Sequence, residues 1–378
     1  MIGLDIRGDF DATEVTEAGR YLGAIDAGAI VGGADSYSSS LVVPGGAVVP
    51  HAAVTHVGVL PTHRRRGILR SLITEQLRDI AARGEVVATL RASEAVIYER
   101  FGYGIASAAT SQTIDIRRTR LRDTLPATGD VRIVDAAATT ALLAEIASRS
   151  AWVGAITRPP GWWRLRELRA AHQPTVEYVA VYQENGIDQG YVTYVPENTE
   201  TWFTTRQKTI TVTDFVALSD TARIGLWRHL FDLDLIDVIR LSSVAVDDAL
   251  PLAVTDPRAV SAGPVVDETW LRLVDVERAL AARTYNEADR PVYVQVTDPL
   301  IASNNDIFEI GVKTSTRAST ATPDVTVDVA TLAAVYLGGT RWHHLGSVGR
   351  VAVHRDGALA ELDGLFATTA APYSGTGF

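Results

Sequence analysis

The sequence predicts an α+β protein made of three successive mixed α/β regions. Two observations carry this expectation. A hairpin, a strand, a helix and a further strand follow one another early in the chain, and the same order returns in its middle part. The last part alternates short strands of period two with short helices. The first region runs to Ser111, the second from Gln112 to Gly263 and the third from Pro264 to Phe378. A chain of 378 residues has room for roughly two or three cores.

In the first region, Ile30 to Val43 and Ala47 to Val54 read as strands around the hairpin signal Pro44-Gly45-Gly46. A further strand is expected at Val57, in the valine-rich stretch from Ala53 to Leu60. Pro61 ends it, because proline has no N–H to give to a sheet. From Ile68, apolar residues at Ile68, Leu69, Leu72, Ile73, Leu77, Ile80 and Ala81 share one helical face. Arg83 followed by Gly84 supplies a stop, so a helix is predicted from Gly67 to Arg83. Glu85 to Leu90 reads as the next strand, followed by a short helix holding Tyr98.

Between strand and helix lies His63-Arg64-Arg65-Arg66-Gly67. Backbone N–H groups and positive charge converge there on the start of a helix, which suits an anion and phosphate above all. Gly67 has no Cβ to obstruct a ligand. Arg65, Arg66 and Arg70 offer charge-assisted hydrogen bonds of roughly 1.5–3 kcal/mol each. A solvated basic turn before an ordinary amphipathic helix is the other reading of these residues. Neither G-x-x-x-x-G-K-[ST] nor a helix-opening G-x-G-x-x-G is present.

In the second region, Val176 to Tyr182 and Gly190 to Val195 read as strands joined at Glu184-Asn185-Gly186. A strand at Thr209 to Leu218, a helix at Ala222 to Leu235 and a strand at Val238 to Leu241 follow. Its strand-to-helix junction is Ser219-Asp220-Thr221-Ala222. Ser219 or Asp220 is a good N-cap, and acidic side chains there repel a phosphate. In the third region a helix capped by Asp275 runs to Arg283. Strands are expected at Val292 to Val296, Phe308 to Val312 and Val325 to Val329, and helices at Ala330 to Tyr336 and Leu359 to Ala367.

Composition narrows the function. Apolar residues make up 47% and charged residues 21%, as in a globular protein. With no cysteine, thiolate and disulfide chemistry are excluded. No stretch reaches the roughly 18–20 apolar residues that span a bilayer, and the first residues do not resemble a secretory signal. A cytoplasmic protein without a membrane partner is therefore expected. The net charge of -10 argues against nucleic acid; it suits long-range steering of a cationic substrate, or serves solubility alone, the reading with the greater weight. His343-His344 lacks zinc-type spacing, so no metal site is expected.

Two segments carry a family resemblance: Pro61-Thr62-His63-Arg64-Arg65-Arg66-Gly67-Ile68-Leu69-Arg70, and Ala92-Ser93-Glu94 continuing through Ile97-Tyr98 to Arg100-Phe101-Gly102-Tyr103-Gly104. The first fits the R-x-x-G-x-[GA] pyrophosphate loop of GNAT acetyltransferases, with Leu69 in place of its last small residue. The second fits their A-x-x-x-Y-x-x-x-G-[FY] segment. Together they resemble the Eis acetyltransferases, bacterial enzymes that acetylate aminoglycosides and other polyamines. The match is dense from Val57 to Gly104 and continues to the C-terminus as an order of domains.

The resemblance implies two GNAT-type domains, the second without the cofactor loop, and a closing sterol-carrier-like domain. It also implies a hexamer, with acetyl-CoA as co-substrate and a small cationic amine as acceptor. Backbone at Val57, Gly58 and Val59 then binds the cofactor arm on an open strand edge. Arg65, Arg66, Gly67, Ile68, Leu69 and Arg70 hold the diphosphate, and Ser93 and Glu94 touch the cofactor, although Ser93 also suits a helix N-cap. Tyr98 is the general acid, against the alternative of a packed aromatic whose hydroxyl meets a carbonyl, and Tyr103 is a structural neighbour. The general base is the terminal carboxylate, here that of Phe378, against the ordinary alternative of a frayed tail. His56 points to the acceptor side and His63 to the phosphates or solvent.

Three departures stand out. The family fold opens with one strand and two helices, but only a short stretch precedes Ile30, so the acceptor wall is expected to be altered. Gly377 replaces a glutamate that binds polycations, and Arg91 replaces a histidine. Both changes are expected to lower affinity for aminoglycosides. Acetylation of protein lysines or small polyamines is the alternative within the same chemistry, and a non-catalytic lipid-binding protein the alternative outside it.

Overall fold

The computed structural model describes residues 11–135, 139–171, 175–311 and 315–377. They form two units. One comprises the described residues up to Ala108, Trp152–Trp162 and those from Asp267 onward; the other comprises Ala109–Ala151 and Trp163–Val266.

The first unit opens with β1 (Leu22–Asp26), β2 (Ala29–Val42) and β3 (Val48–Val59), an antiparallel meander. Helix α1 (Ile68–Ala82) leads to β4 (Val87–Leu90), parallel to β3, and β5 (Tyr103–Asp115) follows. Of the α1 face predicted from periodicity, Leu72, Ile73, Leu77 and Ile80 are buried, and the last three pack with Ala52, Val54, Ala88 and Leu90 of the sheet; Ile68 and Leu69 are half-buried, Ala81 is exposed, and Gln76 is buried in addition. All of β4 is buried, as its uncharged sequence requires for a strand inside a sheet.

The strands expected at Ala47 to Val54 and at Val57 are one strand, β3. No turn residue separates them. The irregularity lies at His56, whose φ of +50° accompanies a register shift against β2 between Gly33 and Asp35. A bulge bends a strand without ending it.

The second unit contains β6 (Asp130–Val134), α2 (Thr140–Ser148), α3 (Pro160–Ala171), which starts at the end of the Trp152–Trp162 segment, and β7 (Tyr178–Glu184). Then come β8 (Ile187–Pro196), β9 (Thr209–Ala217), α4 (Asp220–Phe231), β10 (Val238–Ala245), α5 (Leu250–Ala253) and β11 (Val260–Ala262). Strands β6 to β9 are antiparallel neighbours in sequence order, and β10 runs parallel to β9. This is the order of the first unit again. Ser219 caps α4, its hydroxyl accepting from the N–H of Ala222 at 3.1 Å.

Strand β12 (Val266–Leu273) returns to the first unit and pairs antiparallel with β4. Helix α6 (Val276–Ala282) is capped by Asp275 as expected. Strands β13 (Val292–Thr297), β14 (Asp306–Ile310), β15 (Ser315–Arg317) and β16 (Val325–Asp328) lead to helices α7 (Val329–Tyr336) and α8 (Trp342–Ser347). The region closes with β17 (Ala352–Val353) and α9 (Ala358–Phe366); its sheet has the order β15-β14-β13-β16-β17. Val312, at the end of one expected strand, lies outside the described residues. Trp342, Phe366, Leu332 and Phe308 fill this region's core. No helix among the described residues is long and apolar enough to cross a membrane.

Candidate active site

The site grows from the difference in length between β3 and β4. The two strands pair only from His51 to Ala53, against Val87 to Thr89. Strand β4 stops at Leu90 while β3 continues to Val59, which leaves one edge of β3 open. A cavity of about 830 Å³ lies there in the first unit, lined by Val57, Gly58 and Val59.

The basic loop forms another wall. Arg64 and Arg65, and Gly67 to Arg70, line the same cavity. Arg65 and Gly67 have φ of +63° and +82°. Left-handed backbone at these positions turns the chain into α1, whose N-cap is Gly67 with no side-chain capping bond. The first N–H groups of a helix lack intrahelical acceptors, so this start needs acceptors from outside. A Cβ at Gly67 meets nothing within 4 Å, so the space before the helix is open. Arg66 points elsewhere: its guanidinium reaches Asp26 Oδ2 at 3.4 Å and the Thr62 carbonyl at 3.5 Å. His63 lines the cavity and also meets Asp26, at 3.3 Å.

The loop after β4 supplies the opposite chemistry. Ser93, Glu94 and Tyr98 line the cavity. Tyr98 sits between two 3-10 turns, Ala95–Ile97 and Glu99–Phe101, in place of the single short helix expected. It is 6% exposed, and Tyr103 packs edge-on against it with ring centroids 5.9 Å apart. Burial first, and the carboxylate of Glu94 second, raise the Tyr98 phenol above its ordinary value and keep it protonated. Glu94, not Ser93, stands at the start of the first turn. Pro299 and Leu300, from the third sequence region, complete the cavity wall.

Sequence reasoning singled out the C-terminal tail but missed the residues that anchor it. Phe378 itself lies outside the described residues, but Pro372, Ser374 and Thr376 are buried. Trp152 Nε1 donates to the Tyr373 carbonyl at 2.8 Å, and Trp162 Nε1 donates to the Gly377 carbonyl at 2.6 Å. Arg158 donates to Thr376 Oγ1 at 3.1 Å and to the Gly375 carbonyl at 3.2 Å. Arg91 Nη2 donates to Ser374 Oγ at 2.9 Å, to the Thr376 carbonyl at 2.8 Å and to Glu268 Oε1 at 2.8 Å. Arg91 is therefore not a bare cation: it is paired with a carboxylate that is itself fully buried.

Backbone bonds join Trp152–Trp162 to β2: Val42 N–H donates to the Ala155 carbonyl at 2.9 Å and Thr157 N–H to the Ser40 carbonyl at 3.0 Å. His56 turns toward Asp35, 3.4 Å away and fully buried. Among the described residues no cluster of three metal-ligating side chains occurs.

A basic loop and a glycine-opened helix start beside an open strand edge, in a repeated α/β fold, are the arrangement of a GNAT acetyltransferase. Comparison with known proteins agrees. An acetyltransferase (GNAT) domain model matches residues 7–106, a second acetyltransferase (GNAT) domain model residues 154–293, and a sterol carrier protein domain model residues 276–375. The chain is 32% identical over 352 residues to the N-acetyltransferase Eis of Mycobacterium tuberculosis, covering 90% of this chain and 83% of that one. An uncharacterized N-acetyltransferase of Streptomyces griseus is 35% identical over 368 residues, covering 94% and 88%. The crystal structure of Eis1 from Mycobacterium abscessus has a TM-score of 0.92 at 52% identity, covering 97% of this chain and 92% of that one. The chain belongs to the Eis family of N-acetyltransferases. As GNAT enzymes in general do, this class takes its acetyl group from acetyl-CoA.

Proposed function

We propose that the enzyme acetylates amines of a small, multiply charged acceptor such as an aminoglycoside, using acetyl-CoA bound in the 830 Å³ cavity. The observation that carries this is the meeting of the Gly67 cradle and Tyr98 on one cavity. The uncapped N–H groups of Ile68, Leu69 and Arg70, with the charges of Arg64, Arg65 and Arg70, suit a diphosphate. The open edge at Val57, Gly58 and Val59 suits the amide-bearing arm, which then completes the sheet. Bound there, acetyl-CoA supplies an activated acyl carbon and a thiolate leaving group.

The chain's residues handle the protons. The acceptor nitrogen bonds to the acyl carbon as the carbon–sulfur bond breaks. Tyr98 gives its phenolic proton to the departing sulfur and is later reprotonated from water. The amine's proton passes to the carboxylate that Phe378 carries as the last residue of this sequence. Anchorage of the tail through Gly377 supports this assignment. The net charge of -10, and Glu94 in the cavity wall, favour a cationic acceptor.

Tyr98→Phe tests the reading. The ring and its contact with Tyr103 remain while the proton is lost. Turnover, read as thiol release with kanamycin, spermidine or a lysine peptide, should fall by about 10²–10⁴-fold. Calorimetric affinity for CoA should stay within about threefold of the parent, roughly 0.6 kcal/mol. Unchanged turnover would remove Tyr98 from the mechanism; no CoA binding by the parent would remove the cofactor reading.

A further inference from the structure

We propose that Arg91 and Glu268 are positioning residues: an ion pair between a half-buried guanidinium and a fully buried carboxylate that locks the C-terminal tail onto the loop carrying Tyr98. This rests on the acetyl-transfer reading above only for its effect on turnover.

The geometry is specific. Glu268 lies on β12, beside β4, and Arg91 directly follows the last residue of β4. The Glu268 carboxylate accepts from the Ser374 N–H at 3.1 Å, from the Gly375 N–H at 3.1 Å, from Ser374 Oγ at 3.1 Å and from Ser107 Oγ at 2.7 Å. Its side chain is 0% exposed. A carboxylate so deeply buried is tolerable only if paired and saturated with donors. Two of those donors are backbone N–H groups of the tail, so tail docking and charge burial depend on each other. Arg91 closes the ring, binding the tail from the other side at Ser374 and Thr376.

Arg91 also ties the tail to the catalytic loop through the chain. Two residues beyond it, Ser93 lines the cavity, and Tyr98 follows on the same loop. Fixing Thr376 relative to Arg91 thus fixes the last residues relative to the proposed acid. A glycine-rich ending, Gly375-Thr376-Gly377, has little stiffness of its own. The pair supplies the order that the tail's sequence lacks.

The test uses the full chain with Glu268→Gln and Arg91→Ala. A glutamine places an NH₂ where the carboxylate accepts from N–H and O–H donors, so the ring opens with little change in volume. Carboxypeptidase Y digestion reads the tail directly: release of the terminal residues should speed up by about tenfold or more as the docked state loses population. In the amine panel, kcat should fall by about 10²-fold, the cost of about 1 Å of misplacement, with KM for acetyl-CoA unchanged. Arg91→Lys should fall between parent and Arg91→Ala. Ser374→Ala, which removes one hydroxyl from the ring, guards against misfolding of the charge variants and should speed digestion by a smaller factor. Digestion at the parent rate in all four variants overturns the clamp. Fast digestion with unchanged kcat overturns its positioning role. A parent that releases no thiol with any amine overturns the acetyl-transfer reading instead, and digestion alone then decides the clamp.

Discussion

Gly67 offers the sharpest test of the anion cradle, because strain and ligand contact separate there. Its φ is +82°, where an L-residue costs about 1–2 kcal/mol. A Cβ meets no protein atom within 4 Å, so Gly67→Ala adds no clash within the fold. For a chain of this size that strain lowers Tm by roughly 1–3 °C. Gly84, just beyond the other end of α1, has φ of +77° and equally open space. Gly84→Ala therefore carries the same strain without touching the cradle. Gly67→Asp adds a charge to that strain. At about 5 Å from a doubly charged diphosphate, with an effective dielectric constant between about 80 and 20, repulsion is roughly 2–7 kcal/mol. That corresponds to about 1 to 5 powers of ten in affinity. Scanning fluorimetry should show similar melting shifts for Gly67→Ala and Gly84→Ala. Calorimetry with CoA should show affinity lost in Gly67→Asp, reduced in Gly67→Ala and retained in Gly84→Ala. If both Gly67 variants bind CoA as Gly84→Ala does, the helix start is not where the diphosphate sits.

Three further outcomes are expected. Arg65→Ala should weaken CoA binding more than Arg66→Ala, since only Arg65 lines the cavity while Arg66 is engaged with Asp26; equal losses by calorimetry would contradict this. Burial, helped by the charge of Arg20, pushes His51 down to about 3, so the folded protein holds it neutral while the unfolded chain protonates it below about 6.5. Stability should then fall with pH from about 6.5 toward 3, by about 2 kcal/mol at pH 5, and urea melts at pH 7.5 and 5 should differ less in His51→Gln. Arg272 and Asp298 form a fully buried pair at 2.6 Å, so Asp298→Ala should cost about 3–5 kcal/mol in urea unfolding; a loss under about 1 kcal/mol would show that the pair is not desolvated.

Local patterns made much of this legible from the sequence. The α1 face, the Ser219 and Asp275 caps and the Gly67 turn each depend on neighbours a few residues apart; the caps and the turn appear as read, and the face does at Leu72, Ile73, Leu77 and Ile80. The His56 bulge did not, because nothing in valine-rich sequence marks an extra residue in a strand. The tail clamp was harder still. Arg91 meets partners 177 and 283 residues away, and Trp162 meets Gly377 across 215 residues. Such pairs have no periodicity. From sequence alone Arg91 was therefore an unpaired cation beside the acceptor, with a cost to polycation binding. Its pairing with Glu268 removes much of that argument, since a compensated charge repels an approaching amine far less.

The repeated fold provides an internal comparison of how little sequence separates a site from a scaffold. Both α1 and α4 follow a strand in the same topological order, and both bury an apolar face on their sheet. At α4 the N-cap is Ser219 in extended backbone, its hydroxyl taking the Ala222 N–H, and Asp220 adds negative charge to the first turn. The chain thus answers that helix start from within, with a cap worth about 1 kcal/mol and a favourable dipole term of about 0.3–1 kcal/mol. At α1 the corresponding residue is a left-handed glycine with no side chain to offer, and the loop before it carries arginines. The first turn forgoes its own cap and leaves its donors to an outside anion. The two copies share their apolar pattern and differ at one junction, where α1 has a glycine and a basic loop and α4 has a serine cap and an aspartate.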